Sequence, residues 1–149
     1  MQFPSHVLHN FTRLRISAHN LAIETGRYAK PVATPVDKRL CIHCNQVENE
    51  FHLIFECSLY NTERNELYGE LSQIISMDIY PSLELFNTIM SGLQGDLEVG
   101  KIICKYINNC FKIRSDILCY KKEKDILQRN KPTASRSGRI SKRPIILDL

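Results

Sequence analysis

A chain of 149 residues, 43 % of them hydrophobic and none of them tryptophan, has material for one domain with a modest core. Its net charge of +4 is uneven: residues 1–40 carry six Lys/Arg against two Asp/Glu, residues 41–120 five against eleven, and residues 121–149 nine against three. No run approaches the roughly 18 apolar residues of a membrane span, and the first residues lack a charged or apolar export segment. The expectation is an intracellular protein, cytoplasmic or nuclear, with no membrane contact and reduced cysteines.

The first predicted element is an amphipathic helix over about residues 5–25. Val7, Leu8, Phe11, Leu14, Leu21 and Ile23 form its apolar stripe, and Ile16 fits it imperfectly. His6, His9 and His19 read as surface or packing groups. Gly26 reads as the C-cap. Pro31 and Pro35 then favour an extended linker up to residue 40. Arg13, Arg15, Arg27, Lys30, Lys38 and Arg39 along this stretch are candidates for a cationic face that meets phosphate. The alternative is an ordinary solvated surface.

The next stretch carries the clearest chemistry. Cys41-Ile42-His43-Cys44 is followed by His52 and Cys57. A C-x2-C turn aims two sulfurs at one point, and a His and a Cys from the following element complete a tetrahedron. Thiolate and imidazole donors select Zn²⁺, whereas calcium and magnesium take oxygen. Four protein ligands leave no place for water, so the centre is expected to be structural. His43 competes with His52 for the fourth place; side chains in the middle of such a turn usually point away, which favours His52. Residues 47–57 read as a short helix, with Glu48 and Glu50 in a first turn that favours acids. His52 and Cys57 are five apart and do not share an ideal helix face, so Cys57 is placed at or past the helix end.

These residues carry a family resemblance. Arg15 to Tyr28, Thr34 to Cys44, Val47 to His52, and Cys57 to Tyr60 with Arg64 resemble the C-terminal segment of LINE-type (non-LTR) retrotransposon reverse transcriptases of animals. The resemblance covers residues 11–64 and reaches more weakly to about 120. It implies Cys41, Cys44, His52 and Cys57 as zinc ligands, and a history of contact with template RNA or target DNA. The polymerase needs an adjacent pair of aspartates for its metal ions, and this chain has no Asp-Asp. The expectation is the tail end of such a polyprotein, without polymerase or endonuclease activity.

Beyond the motif, Asn61-Thr62-Glu63 can cap a helix to about Ile75, with Leu67, Leu71, Ile74 and Ile75 on one face. A second helix spans Ser82 to Met90, with Leu83, Leu85, Phe86 and Ile89 inward. The longest pattern runs from Asp96 to about Lys122 on Val99, Ile102, Ile103, Tyr106, Ile107, Cys110, Ile113 and Ile117. Cys104, Cys110 and Cys119 lack metal spacing and read as packing thiols, with Cys110 alone squarely on the stripe. From Lys121 the pattern stops, and the polar, turn-rich sequence predicts a disordered basic tail. Lys142 and Arg143 in it are further candidates for nucleic-acid contact.

The expected fold is therefore mainly α: a basic helix and linker (1–40), a Cys₃His zinc knuckle (41–60), a helical bundle (61–122) and a disordered tail (123–149). The expected role is a non-catalytic module that contacts RNA or DNA non-specifically through its basic ends. The alternatives are a protein-interaction or self-association module, and a retroelement remnant with no selected role. Motifs for a nucleophilic serine, a phosphate loop or a zinc protease are missing, so no small-molecule substrate is expected.

Overall fold

Helix α1 spans Ser5–Arg15 and turns Phe11 and Leu14 into the interior. The computed structural model describes residues 5–75, 81–91 and 96–129, with only the backbone of His6 and Val7. The helix expected to reach residue 25 breaks at Ser17, whose backbone is left-handed at φ 53°. There the Ala18 N–H donates to the Arg13 carbonyl (2.8 Å) and the Ser17 N–H to the Leu14 carbonyl (3.3 Å). This is a Schellman closure, a stop most often made with glycine. A serine in it carries no sequence signal, and it leaves Ile16 exposed. Left-handed backbone costs a non-glycine residue about 1 kcal/mol. Ser17→Gly is accordingly expected to raise stability by up to about 1 kcal/mol in urea unfolding, since glycine removes that strain but loses more chain entropy.

The chain resumes as a single turn, α2 (Ala22–Thr25). Gly26 caps it in a right-handed conformation, φ −69°. A Cβ at Gly26 would lie 2.6 Å from Cγ of Arg39 and 2.9 Å from the Ala22 carbonyl oxygen, so glycine is required by close passage rather than by a left-handed turn. Arg39 crosses here, donating from Nε to the Thr34 carbonyl (2.8 Å) and from Nη1 to the Ile23 carbonyl (2.7 Å). The Thr34 N–H donates to the Gly26 carbonyl (2.8 Å). Residues 27–40 are thus folded back onto α2, with a 3₁₀ turn at Val36–Lys38, instead of forming the expected extended linker.

Three helices build the rest: α3 (Asn61–Leu71), α4 (Leu83–Ser91) and α5 (Leu97–Arg129). The expected cap of α3 is different in kind. Asn61 Oδ1 accepts a hydrogen bond from Arg64 Nη1 (2.8 Å), and no side chain caps the helix start. On α4, Leu85 and Ile89 are buried as the period predicts, but Leu83 is exposed. Helix α5 is the spine of the molecule. Val99, Ile103, Tyr106, Ile107 and Cys110 enter the core against α1 and α3, and Cys104, placed off the stripe by sequence, is also fully buried. The helix runs seven residues beyond the predicted end, to Arg129. Those last turns are exposed and, apart from Asp125 and Ile126, consist of Glu, Lys, Leu, Gln and Arg, residues that sustain a helix without packing. Residues 130–149, including most of the predicted tail, lie outside the described residues. No helix among the described residues is long and apolar enough to cross a membrane.

Candidate metal centre

The four motif residues come from two short elements set side by side. Leu40 and Val47 form one antiparallel bridge, and between them the chain makes a tight hairpin. The Cys41 N–H donates to the Gln46 carbonyl (2.7 Å) and the Asn45 N–H to the Cys41 carbonyl (3.2 Å). Asn45 takes the left-handed conformation at φ 59°, which asparagine tolerates well, as the predicted turn at Asn45-Gln46 requires. After the hairpin, Asn49 Oδ1 accepts the His52 N–H (2.8 Å) and so starts the next helical turn.

That turn is π-helical over His52–Glu56, and the Cys57 N–H donates back to the His52 carbonyl at 2.9 Å. The wider turn is the physical answer to the five-residue spacing. An α-helix would place residues 52 and 57 on different faces; a π turn closes an i to i+5 bond and brings them round to the same side. Cys57 then follows the helix in an extended conformation, at the helix end where the spacing placed it.

The donor atoms of Cys41, Cys44, His52 and Cys57 all lie within 4.8 Å of one another. Cys41 Sγ and Cys57 Sγ are 3.8 Å apart, and Cys44 Sγ is 3.2 Å from His52 Nε2. Around a tetrahedral zinc with Zn–S bonds of about 2.3 Å, sulfur–sulfur edges are about 3.8 Å. The same sulfurs are far beyond the roughly 2.05 Å of a disulfide. Cys41, His52 and Cys57 are buried and Cys44 is partly so. His43 is exposed and stands outside the group, so the fourth donor is His52. The arrangement can hold a metal ion, and three sulfurs with one imidazole are a set consistent with zinc.

The surroundings suit thiolate ligands bound to a cation. The His43 N–H points at Cys41 Sγ (3.5 Å), and Glu56 Oε2 lies 3.4 Å from His52 Nδ1, where a carboxylate orients a ligating imidazole. Without a metal, burial pushes the Cys57 thiol up to about 12, opposed by a backbone hydrogen bond from Leu59 and reinforced by the Cys41 and Cys44 sulfurs.

A π turn displaces carbonyls from their usual partners, and two side chains from distant elements take them. Tyr106 Oη of α5 donates to the Ile54 carbonyl (2.8 Å) and approaches that of Leu53 (3.2 Å). Arg64 of α3 is buried and donates from Nε to the Ile54 carbonyl (2.9 Å) and from Nη2 to the Cys57 carbonyl (2.8 Å). Removing a buried donor strands its acceptors. Arg64→Met is expected to cost about 2–3 kcal/mol and Tyr106→Phe about 1–2 kcal/mol in urea unfolding. In sequence Tyr106 counts only as a member of the apolar stripe of α5 and Arg64 only as part of the family resemblance; neither signals a donor to these carbonyls.

Glu48 corrects a second expectation. It is not a surface acid favouring a helix start. It is 2 % exposed, and Arg114 of α5 grips it with two bonds of 2.8 Å, Nε to Oε1 and Nη2 to Oε2. Glu48 Oε2 also accepts the Ala22 N–H (2.6 Å). Glu50 pairs with the buried His19 ring (2.8 Å), and this hydrogen bond, against the effect of burial, holds the Glu50 carboxyl below the usual carboxylate range. Lys121 near the end of α5 donates to the Ile42 carbonyl. The hairpin is thus bolted to the helical body from several sides.

The predicted cationic face is mostly engaged in local contacts. Arg39 is committed to carbonyls. Arg27 pairs with Glu24 (3.1 Å), and Lys38 meets Asp37 (3.5 Å). Arg15 lies over the Phe11 ring (5.7 Å to its centroid). Arg13 and Lys30 are exposed. Lys142 and Arg143 lie outside the described residues. Comparison with family models, curated proteins and solved structures finds no match for this chain.

Proposed function

We propose that this chain is a non-catalytic zinc-binding module of the kind found at the C-terminus of LINE-type reverse transcriptases, and that it contacts RNA or DNA through cationic side chains. The observation that carries the metal part is the convergence of three sulfurs and one imidazole from a hairpin and a π turn. The four protein donors fill a tetrahedral shell, which leaves no position for an activated water or a substrate. The nucleic-acid part rests on the motif resemblance and on the basic first and last segments.

Native mass spectrometry of the full chain, with and without chelator, tests the metal reading. One zinc per chain, removed by chelator, is the expected result; a metal-free mass after purification in zinc would overturn it. A second reading, as a protein-interaction module, has one observation in its favour. Tyr120, Ile126 and Leu127 are exposed on the last turns of α5. The same spectra separate the two readings, since a self-associating chain would appear as a dimer.

A further inference from the structure

Between α1 and α5 lies a groove of about 280 Å³, lined by Asn10, Arg13, His19 and Asn20 on one side and by Phe111 and Lys112 with their neighbours on α5 on the other. No acid among the described residues lines it, although residues 41–120 carry eleven Asp/Glu against five Lys/Arg. Of those five, Arg64 and Arg114 are buried and engaged, Lys101 pairs with Glu98, and Lys105 pairs with Glu70. Lys112 alone has no ion pair among the described residues, and it faces this groove.

Arg13 meets it from α1. Its Nε donates to the Ala18 carbonyl (2.7 Å), so the Schellman turn at Ser17 fixes the guanidinium while its two terminal nitrogens have no partner among the described residues. The floor is joined by a hydrogen bond from Asn10 Nδ2 to Asn108 Oδ1 (2.8 Å). His19 forms wall only: its Nε2 is tied to Glu50 and its Nδ1 accepts the Leu21 N–H (3.3 Å). Beside the cations, Phe111, partly buried and packed against the core, also lines the groove.

We infer that this groove seats one nucleotide of a single-stranded nucleic acid, with the phosphodiester on Arg13 and Lys112 and the base against Phe111. Two cations with an adjacent aromatic face are the pairing that binds single strands, charge for the backbone and a ring for the base. The groove is too small to admit a duplex. The inference deepens the nucleic-acid reading above and rests on it.

The test is fluorescence anisotropy of the zinc-loaded full chain with labelled oligouridylate and oligothymidylate of about twelve nucleotides. Lys112→Gln, a surface change, is expected to weaken binding by about fivefold or more at low salt and to lower the slope of log affinity against log salt by about 0.7. Arg13→Gln should do the same, with a thermal melt to confirm folding. Phe111→Leu should weaken binding by about fivefold or more and leave the salt slope unchanged. Lys101→Gln, an exposed change near the start of α5 and away from the groove, should match the parent. Loss with either oligomer in this pattern supports the site, and the stronger oligomer tells RNA from DNA. Binding by Lys112→Gln and Phe111→Leu at parental strength, or an equal loss in Lys101→Gln, overturns the groove while leaving nucleic-acid contact in place. No binding by the parent even at low salt removes both.

Discussion

Cys44→Ala is expected to lower unfolding stability by at least about 3 kcal/mol and to abolish tight zinc binding, because structural zinc supplies folding free energy directly. The size follows from what the centre joins. The hairpin at residues 40–47 has a single backbone bridge, and the π turn at His52–Glu56 is an unfavourable local geometry. A domain with a total stability of roughly 5–15 kcal/mol cannot lose that tie lightly. Chelation of the parent should shift the urea midpoint by the same amount as the substitution. His43→Ala should retain its zinc and its midpoint, since that ring is exposed and outside the donor set. Parental melting and zinc content in Cys44→Ala would show that the ligand set is wrong.

Arg114→Ala carries the second large effect, about 3–5 kcal/mol, because it leaves Glu48 as an uncompensated buried carboxylate. Glu48→Ala should be comparable, since it strands both the Arg114 guanidinium, 5 % exposed, and the Ala22 N–H. The double variant should cost less than the two single losses added, because removing both charges together avoids the unpaired state. It should not return to parental stability, since the Ala22 N–H still lacks an acceptor at about 1–3 kcal/mol. A double-mutant cycle in urea measures this, and additive losses would contradict the pair as described.

What could be read from the sequence divides along physical lines. Ligand spacing is local, so Cys41, Cys44, His52 and Cys57 were legible, and so was the turn at Asn45. The π turn left only an indirect trace, the misfit of a five-residue interval to an α-helix. The long apolar period of α5 was legible because burial imposes it. Its last turns were not, since intrinsic propensity holds them where no core contact marks an end. Charged residues were the least legible. Glu48 and Arg114 stand 66 positions apart and Arg39 lies over Gly26, yet each looks in sequence like any solvated charge. Ser17 ends α1 in a conformation for which serine gives no signal.

The central claim is a single metal ion held by three sulfurs and one imidazole, and zinc K-edge X-ray absorption of the purified chain tests it most directly. The predicted spectrum fits three sulfurs at about 2.3 Å and one nitrogen at about 2.0 Å, and Cys57→Ser should convert one sulfur shell to oxygen. A first shell made only of nitrogen and oxygen, or a parental spectrum in Cys57→Ser, would contradict it.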